Sequence, residues 1–335
     1  VKILRAPMVY VNLVGGEDEI VFDGGSLAVD SKGNVRAESV YFDEDLNVMD
    51  FKTLEGGSRV TPVEDVENLH KALVLGIRDF AQKNGFEKLH LGLSGGIDSA
   101  VVLCLAADAL GPNKVTSIAL PSQFNHEMSL RLARELCANL KSPFKTVPIS
   151  DPYESVIKAI EGSEGALEFS VVHENIQARL RGLILMGFSN KDHSLLLATS
   201  NKSEFSAGYA TLYGDMCGGL APIADLLKGE VYALAEYFNR QTEIIPREII
   251  TRAPSAELRP NQKDQDTLPP YDVLDQAVIN LVEKAKSAKT NEEKWLLKAL
   301  FRSEFKRWQA PPILRVSSHA FGRGRRVPIT NKGLF

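Results

Sequence analysis

Leu89-His90-Leu91-Gly92-Leu93-Ser94-Gly95-Gly96-Ile97-Asp98-Ser99 is the stretch that decides the fold of this chain. Its apolar start has the length of a buried strand, and the Ala-, Val- and Leu-rich run from Ser99 to Leu110 has the composition of a buried helix. Between them, Gly95 and Gly96 let the backbone turn tightly and approach a polyanion with no side chain in the way. Amides at a helix start and the hydroxyls of Ser94 and Ser99 are donors for phosphate oxygens, so Gly92, Leu93, Ser94, Gly95, Gly96, Ile97, Asp98 and Ser99 form a candidate anion cradle. An isolated Ser-Gly-Gly can be only a turn and a helix cap; the strand before it and the Asp-Ser after it point to more. The loop has no Lys of the Gly-x-x-x-x-Gly-Lys kind and is not Gly-x-Gly-x-x-Gly, which argues against a kinase-like NTPase and a dehydrogenase. Asp98 would repel bound phosphates unless a divalent cation lay between them, which makes it a candidate Mg²⁺ ligand.

Outward from the loop, strand and helix patterns alternate. A helix is predicted over Val66 to Asn84, with Leu69, Leu73, Ile77 and Phe80 on one face, and a strand over Leu89 to Leu93. Strands at Val115 to Leu120, Phe144 to Ile149 and Leu195 to Thr199 are interleaved with helices at Glu127 to Leu140 and Val171 to Phe188. Such alternation predicts an α/β fold with a doubly wound, mostly parallel sheet and helices on both faces. Ligands in these sheets bind beyond the carboxyl ends of the strands, so chemistry is expected in the turns after Leu93, Leu120 and Leu197. Residues 8 to 50 differ, reading as short strands broken by Gly15-Gly16, Asp23-Gly24-Gly25 and Ser31-Lys32-Gly33-Asn34. The expected division is a β-rich part over 1–52, a linker over 53–63 and the α/β domain over 64–335.

Size and charge set the outer limits. The 335 residues, 44% apolar and 24% charged, suit a globular chain, and no apolar run reaches the roughly 18 residues a membrane span needs. A start at Val1-Lys2-Ile3-Leu4 suggests a fragment or processed product. Cys104, Cys137 and Cys217 lack metal-ligand spacing, and a reducing, cytoplasmic compartment is the default for such usage. A net charge of -4 gives nucleic-acid binding no support, although Arg323-Gly324-Arg325-Arg326 is locally basic. His126, His173 and His193 show no paired spacing and read as core or surface residues; the stripe Leu180, Ile184 and Phe188 reads as core or dimer interface.

Ser94-Gly95-Gly96-Ile97-Asp98-Ser99 resembles the pyrophosphate loop of the N-type ATP pyrophosphatases, which include NAD, GMP, asparagine and argininosuccinate synthetases. The rest of the chain chooses among them. Glu174 to Gly182, containing Asn175 and Ala178-Arg179-Leu180-Arg181, resembles the substrate helix of NAD synthetases, and Ala198 to Glu204 with Gly208 to Asp215 resembles their metal and substrate segment. Arg252 to Pro260 with Asp264 to Tyr271 is similar to the region that closes on the nucleotides, and Phe305 to Pro312 matches the C-terminal segment. Asn12 to Ser26 is similar to the end of the nitrilase-like glutaminase domain that precedes the synthetase in glutamine-dependent members. No Cys occurs before Cys104, so that domain's catalytic set is expected upstream and free ammonia is the expected nitrogen donor for this chain.

The resemblance implies ATP-dependent amidation of deamido-NAD to NAD through an adenylate, with release of AMP and pyrophosphate. Such chemistry asks for positioning and charge stabilisation more than for acid–base groups. It implies Asp98 and Glu204 as ligands of Mg²⁺; Lys228, Thr199 and Ser255 beside ATP; Arg179 and Lys306 on the dinucleotide; and Asp215 near ammonia or substrate. Ser255 keeps the hydroxyl of the family's Thr, Phe305 replaces a His before Lys306, and Leu212 stands where ammonia-only members have Lys. A homodimer is implied, with higher assemblies in a full-length enzyme and neither nucleic acid nor membrane as partner. The alternatives are another amidotransferase of the group, such as GMP synthetase, and a nucleotide-binding module without turnover.

Overall fold

The structure, a computed structural model, describes residues 1, 3, 5–50, 52, 53, 57, 60 and 63–322. Much of the expected linker and the basic stretch at 323–326 lie outside the described residues.

Among the described residues, five short strands open the chain. β1 (Met8–Tyr10), β4 (Leu27–Val29) and β5 (Val35–Glu38) form an antiparallel sheet in the order β1-β4-β5, while β2 (Val14–Glu17) and β3 (Ile20–Asp23) form a hairpin. The hairpin is fastened to helix α1 (Asp65–Lys83): Gly16 N donates to Asp79 Oδ2 at 2.8 Å, and Lys83 Nζ reaches Gly16 O at 2.6 Å. It also meets the end of the described chain, where Arg315 N donates to Glu19 O at 2.8 Å.

The main sheet is wholly parallel among the described residues. Its order is β8 (Phe144–Thr146), β7 (Val115–Ala119), β6 (Leu89–Gly92), β9 (Leu195–Leu197). The chain therefore moves outward from β6 to β8 and then crosses back to the other side of β6. The order in which the chain fills the sheet reverses between β6 and β9, and a crevice opens there at the strands' carboxyl ends.

Side-chain alternation explains both layers. Leu89, Leu91, Leu195 and Leu197 pack with helix α2 (Ile97–Leu110), while His90 and Leu196 face helix α5 (Val171–Asp192), where His90 Nε2 meets Leu185 O at 3.0 Å. α2 is apolar all round because α1, α3 (Glu127–Leu140) and α7 (Lys228–Phe238) cover the side that the sheet does not. Leu180 is buried with Tyr153 and Ile176, and Ile184 and Phe188 pack beside Leu185, so that stripe is core.

Most expected elements match to within a few residues. Strands stop earlier than the apolar runs do, because pairing ends where each chain turns toward the crevice; α2 starts at Ile97, so Asp98 stands in its first turn. Helix α4 (Ser150–Glu164) was not predicted, although Tyr153, Val156, Ile157 and Ile160 recur at helical spacing and pack as one cluster; of its residues only Tyr153 is fully buried. A second core lies under the polar C-terminal half, where α6 (Lys202–Ala207), α9 (Tyr271–Val278) and α10 (Asn291–Arg307) pack through Phe205, Leu274, Leu296 and Leu300. α8 (Arg247–Thr251) closes the first core beside α2.

Candidate active site

The crevice between β6 and β9 is a cavity of about 280 Å³, lined by the cradle and by the turns after β7 and β9. At its edge, Gly95 has φ +79°, and a Cβ there would lie 2.3 Å from Ser129 O, so the turn can be tight only with glycine. The two hydroxyls order the loop from within. Ser99 Oγ donates to Gly96 O at 3.0 Å and accepts from Ser94 N at 3.3 Å, while Ser94 Oγ accepts from Gly96 N at 3.1 Å. Gly92, Leu93, Ser94, Gly96, Ile97, Asp98 and Ser99 line the cavity; Gly95 turns toward α3 instead.

Glu204 arrives from the far side of the crevice on α6. Asn201 and Glu204 form a reciprocal cap: Glu204 N donates to Asn201 Oδ1 at 3.0 Å, and Glu204 Oε2 accepts from Asn201 N at 3.4 Å. The amide left over, Asn201 Nδ2, donates to Asp98 Oδ1 at 2.9 Å and so joins α6 to the cradle. Lys228 completes the group from the start of α7, its Nζ 2.6 Å from Asp98 Oδ2 and 3.4 Å from Glu204 Oε1. Asp275 receives the amides of Lys228 and Gly229 and is hydrogen-bonded to Ser203, which fixes where that lysine starts. Lys202, wholly buried, pairs with Asp225 at 3.0 Å and with Glu283 at 2.8 Å; a π-helical turn at Ile279–Glu283 brings that glutamate in.

Charge within this cluster is out of balance. Asp98, Glu204 and Asp264 gather around the single ammonium of Lys228, and Tyr271 touches both Glu204 and Asp264. Burial first, then the repulsion of Asp98 and Asp264, pushes the Glu204 carboxyl well above the usual carboxylate range despite Lys228. For Lys228, burial works against the charge, but Asp98 and Glu204 outweigh it and the ammonium is held more firmly than usual. Burial and the same carboxylates keep the Tyr271 phenol protonated, so it remains a donor.

The other expected residues divide between the cavity and its supports. Thr199, Ser255, Asp215 and Lys228 line the cavity. Ser255 Oγ donates to Gln262 O at 2.6 Å, and Asp215 Oδ1 accepts from Thr211 N at 2.6 Å. Arg179 and Lys306 do not line it: Arg179 Nε holds Leu212 O at 3.2 Å, and Lys306 Nζ holds Gly208 O at 2.9 Å and Ala210 O at 2.7 Å. With Arg307 Nη1 on Phe205 O at 2.7 Å, α10 thus supplies cations to the carbonyl end of α6 and the turn beyond it. Gly208, which ends α6 at φ +67°, would bring a Cβ within 2.2 Å of Ser303 Cβ. Gly208→Ala is therefore expected to destabilise the fold by about 1–3 kcal/mol, read as a lower denaturant midpoint.

Sequence reasoning did not single out Arg181, Asn201, Tyr209, Asp264 or Tyr271. Arg181 lines the cavity with Ala178, Gly182 and Leu185, and the spacing of three and four residues placed it on the inner face of α5 and Arg179 elsewhere. Its Nε donates to Leu120 O at 3.0 Å, and burial lowers the guanidinium to about 10. Asn201 was legible through the Asn-x-x-Glu cap.

A family model described as NAD synthase matches residues 69–310, which takes in the cradle, α6, Lys228 and the 252–266 segment. The chain belongs to the NAD synthase family. The glutamine-dependent NAD(+) synthetase of Synechocystis sp. is 44% identical over 341 residues, covering 98% of this chain and 61% of the relative. A glutamine-dependent NAD+ synthetase structure from Acinetobacter baumannii in complex with ADP is 35% identical at a TM-score of 0.72, covering 98% of this chain and 63% of that one. An NMN synthetase structure from Francisella tularensis is 28% identical at a TM-score of 0.65, covering 73% of this chain and 96% of that one. The chain spans about three fifths of the length of the curated relatives it matches.

Proposed function

We propose that this chain amidates deamido-NAD to NAD at the expense of ATP, through an adenylated intermediate, with release of AMP and pyrophosphate. The observation that carries this reading is the meeting of Asp98, Glu204 and Lys228 at the end of the glycine turn, inside the crevice where the strand order reverses. The cradle would hold the leaving pyrophosphate by backbone amides, with Lys228 adding positive charge where the leaving group develops negative charge. Thr199 and Ser255 would contact the nucleotide, and Asp215 would lie near ammonia or substrate. Arg179 and Lys306 would serve the dinucleotide through the turn at 208–212 that they grip.

Mg²⁺ fits the donor set. Asp98 and Glu204 offer hard carboxylate oxygens, and one ammonium among three acidic side chains leaves negative charge for a divalent ion to neutralise. Among the described residues no group of three or more His, Cys, Asp or Glu could hold a metal; Mg²⁺ commonly takes one or two carboxylates and completes its shell with water and substrate phosphates. When bound, the ion would polarise the phosphates and stabilise departing pyrophosphate.

The N-terminal strands are read as the end of a nitrilase-like glutaminase part over 1–52, joined through 53–63 to a synthetase domain over 64–335. Free ammonia is the donor expected for this chain, with glutamine serving in a longer enzyme. Exposed Leu183 and Met186 on α5 support a homodimer, and a cytoplasmic setting fits three free thiols. Among the described residues no helix is long and apolar enough to cross a membrane.

Pyrophosphate release from ATP and Mg²⁺ with ammonium tests the proposal. Release is expected with deamido-NAD, and not with xanthosine monophosphate or nicotinate mononucleotide in its place. Release with either mononucleotide alone would reassign the substrate, and none with any would leave a binding module.

A further inference from the structure

Asp264 is buried at 5% exposure, yet it belongs to neither the cradle nor the pair Asp98 and Glu204. Both of its carboxylate oxygens are taken by phenols that come from different parts of the chain. Tyr209, on the turn after α6, donates to Oδ1 at 3.2 Å, and Tyr271, the first residue of α9, donates to Oδ2 at 2.8 Å. The Tyr271 hydroxyl also lies 3.3 Å from Glu204 Oε1, and its ring faces the Lys228 ammonium with 4.8 Å to the centroid.

A phenol has one proton to give. Two carboxylates reach for that of Tyr271, and Asp264 is the nearer. With the proton turned to Asp264, Glu204 Oε1 is left to Lys228, while Glu204 Oε2 stays on the Asn201 amide. Asp264 is fixed in its turn by the 252–266 segment, with Asp264 N on Pro254 O at 3.2 Å and Leu268 N on Asp264 O at 2.8 Å. That segment also reaches α3 and the turn before it, where Glu257 accepts from Ser129 Oγ at 2.6 Å and from Asn125 Nδ2 at 2.9 Å. One end of the segment therefore leans on the helix that meets Gly95, and the other leans on the tyrosine that meets Glu204.

We propose that Asp264 and Tyr271 are positioning residues of this site: by taking the Tyr271 proton, Asp264 leaves Glu204 Oε1 to Lys228 and holds the Tyr271 ring against that ammonium, so that the contacts of the 252–266 segment steady the charged group. Asp264 acts through the phenol, since both of its carboxylate oxygens are taken by Tyr209 and Tyr271. The inference rests on the amidation reading, and its test separates the two.

The unsubstituted chain is assayed first for deamido-NAD-dependent pyrophosphate release; failure there counts against the amidation reading alone. Tyr271→Phe and Asp264→Asn are then compared with each other and with the double variant. Each single variant is expected to lower kcat by about tenfold or more while the KM for ATP moves by less than about threefold. The double variant should be no slower than the slower single one, because both substitutions break one chain of contacts. Asp264→Asn, which keeps an acceptor oxygen, should retain more activity than Asp264→Ala. Independently of turnover, amide hydrogen exchange across 252–266 should quicken in Tyr271→Phe with the melting temperature nearly unchanged. Unaltered kcat, a loss confined to KM, multiplicative losses in the double variant, or unaltered exchange in Tyr271→Phe would each overturn the inference.

Discussion

Lys228→Met is expected to cut deamido-NAD-dependent pyrophosphate release by at least about 10²-fold, the scale of loss when a preorganised charge stabiliser is removed. Lys228 is 1% exposed, while the side chains of Asp98 and Glu204 are 19% and 14% exposed, so the lysine is a fixed cation between two carboxylates that can still reach solvent. Its removal leaves two acidic side chains facing each other with no counter-charge between them. Methionine keeps the length of the chain, so packing at the start of α7 survives and the loss belongs to the charge. A stability cost accompanies it, about 3–5 kcal/mol for an unpaired charge in a fully buried pair and less here because the carboxylates retain water. Adding Mg²⁺ should therefore raise the melting temperature of Lys228→Met more than that of the parent chain, since a divalent ion can answer the same carboxylates. Lys228→Arg should not restore turnover: the bulkier, planar guanidinium cannot occupy the buried place of a compact ammonium between Asp98 and Glu204. Unchanged release in Lys228→Met would remove Lys228 from the reaction.

How far the sequence reaches depends on how local the signal is. The cradle was legible because everything it needs, strand, glycine turn and helix start, lies within Leu89 to Ser99. The parallel sheet was legible for the same reason, each strand being a short apolar run between helical patterns. Glu204 came through resemblance, but the local cap Asn201-Lys202-Ser203-Glu204 carried independent evidence that a helix starts there. Asp264, Tyr271 and Tyr209 were beyond reach because their meaning lies in contacts across 55, 67 and 7 positions of chain, which no local pattern encodes. Arg179 and Lys306 show the converse. Both are cations in the right segments, yet each is taken up by backbone carbonyls of the turn at 208–212, a demand set by how α6 ends and how α10 lies across it. A basic residue near a site can serve the ligand or serve the loop that holds the ligand, and only packing distinguishes the two.

Gly95→Ala is expected to be the most damaging single methyl group that can be added to the cradle. Two independent obstacles meet at this residue: φ is +79°, where a Cβ is strained whatever the surroundings, and the added carbon would lie 2.3 Å from Ser129 O and 3.0 Å from Ser129 C. Backbone cannot rotate aside as a side-chain tip can, so either the turn opens or the start of α3 retreats. Retreat disturbs Ser129, and with it the Glu257 and Arg252 contacts that seat the 252–266 segment. Opening moves Ser94 and Gly96 out of the arrangement in which Ser94 Oγ holds the Gly96 amide. Either way the donors shift by a large fraction of an ångström, and pyrophosphate release should fall by about 10²-fold or more. Gly96→Ala is the matched control, because Gly96 has φ -88° and its Cβ would meet only Ser94 Oγ, at 3.2 Å. That variant should keep its melting temperature, and any loss should appear in the KM for ATP, since Gly96 lines the cavity and the new methyl group would face the ligand. Equal and small effects of the two substitutions would mean that the turn carries no phosphate, and the crevice would then need another occupant.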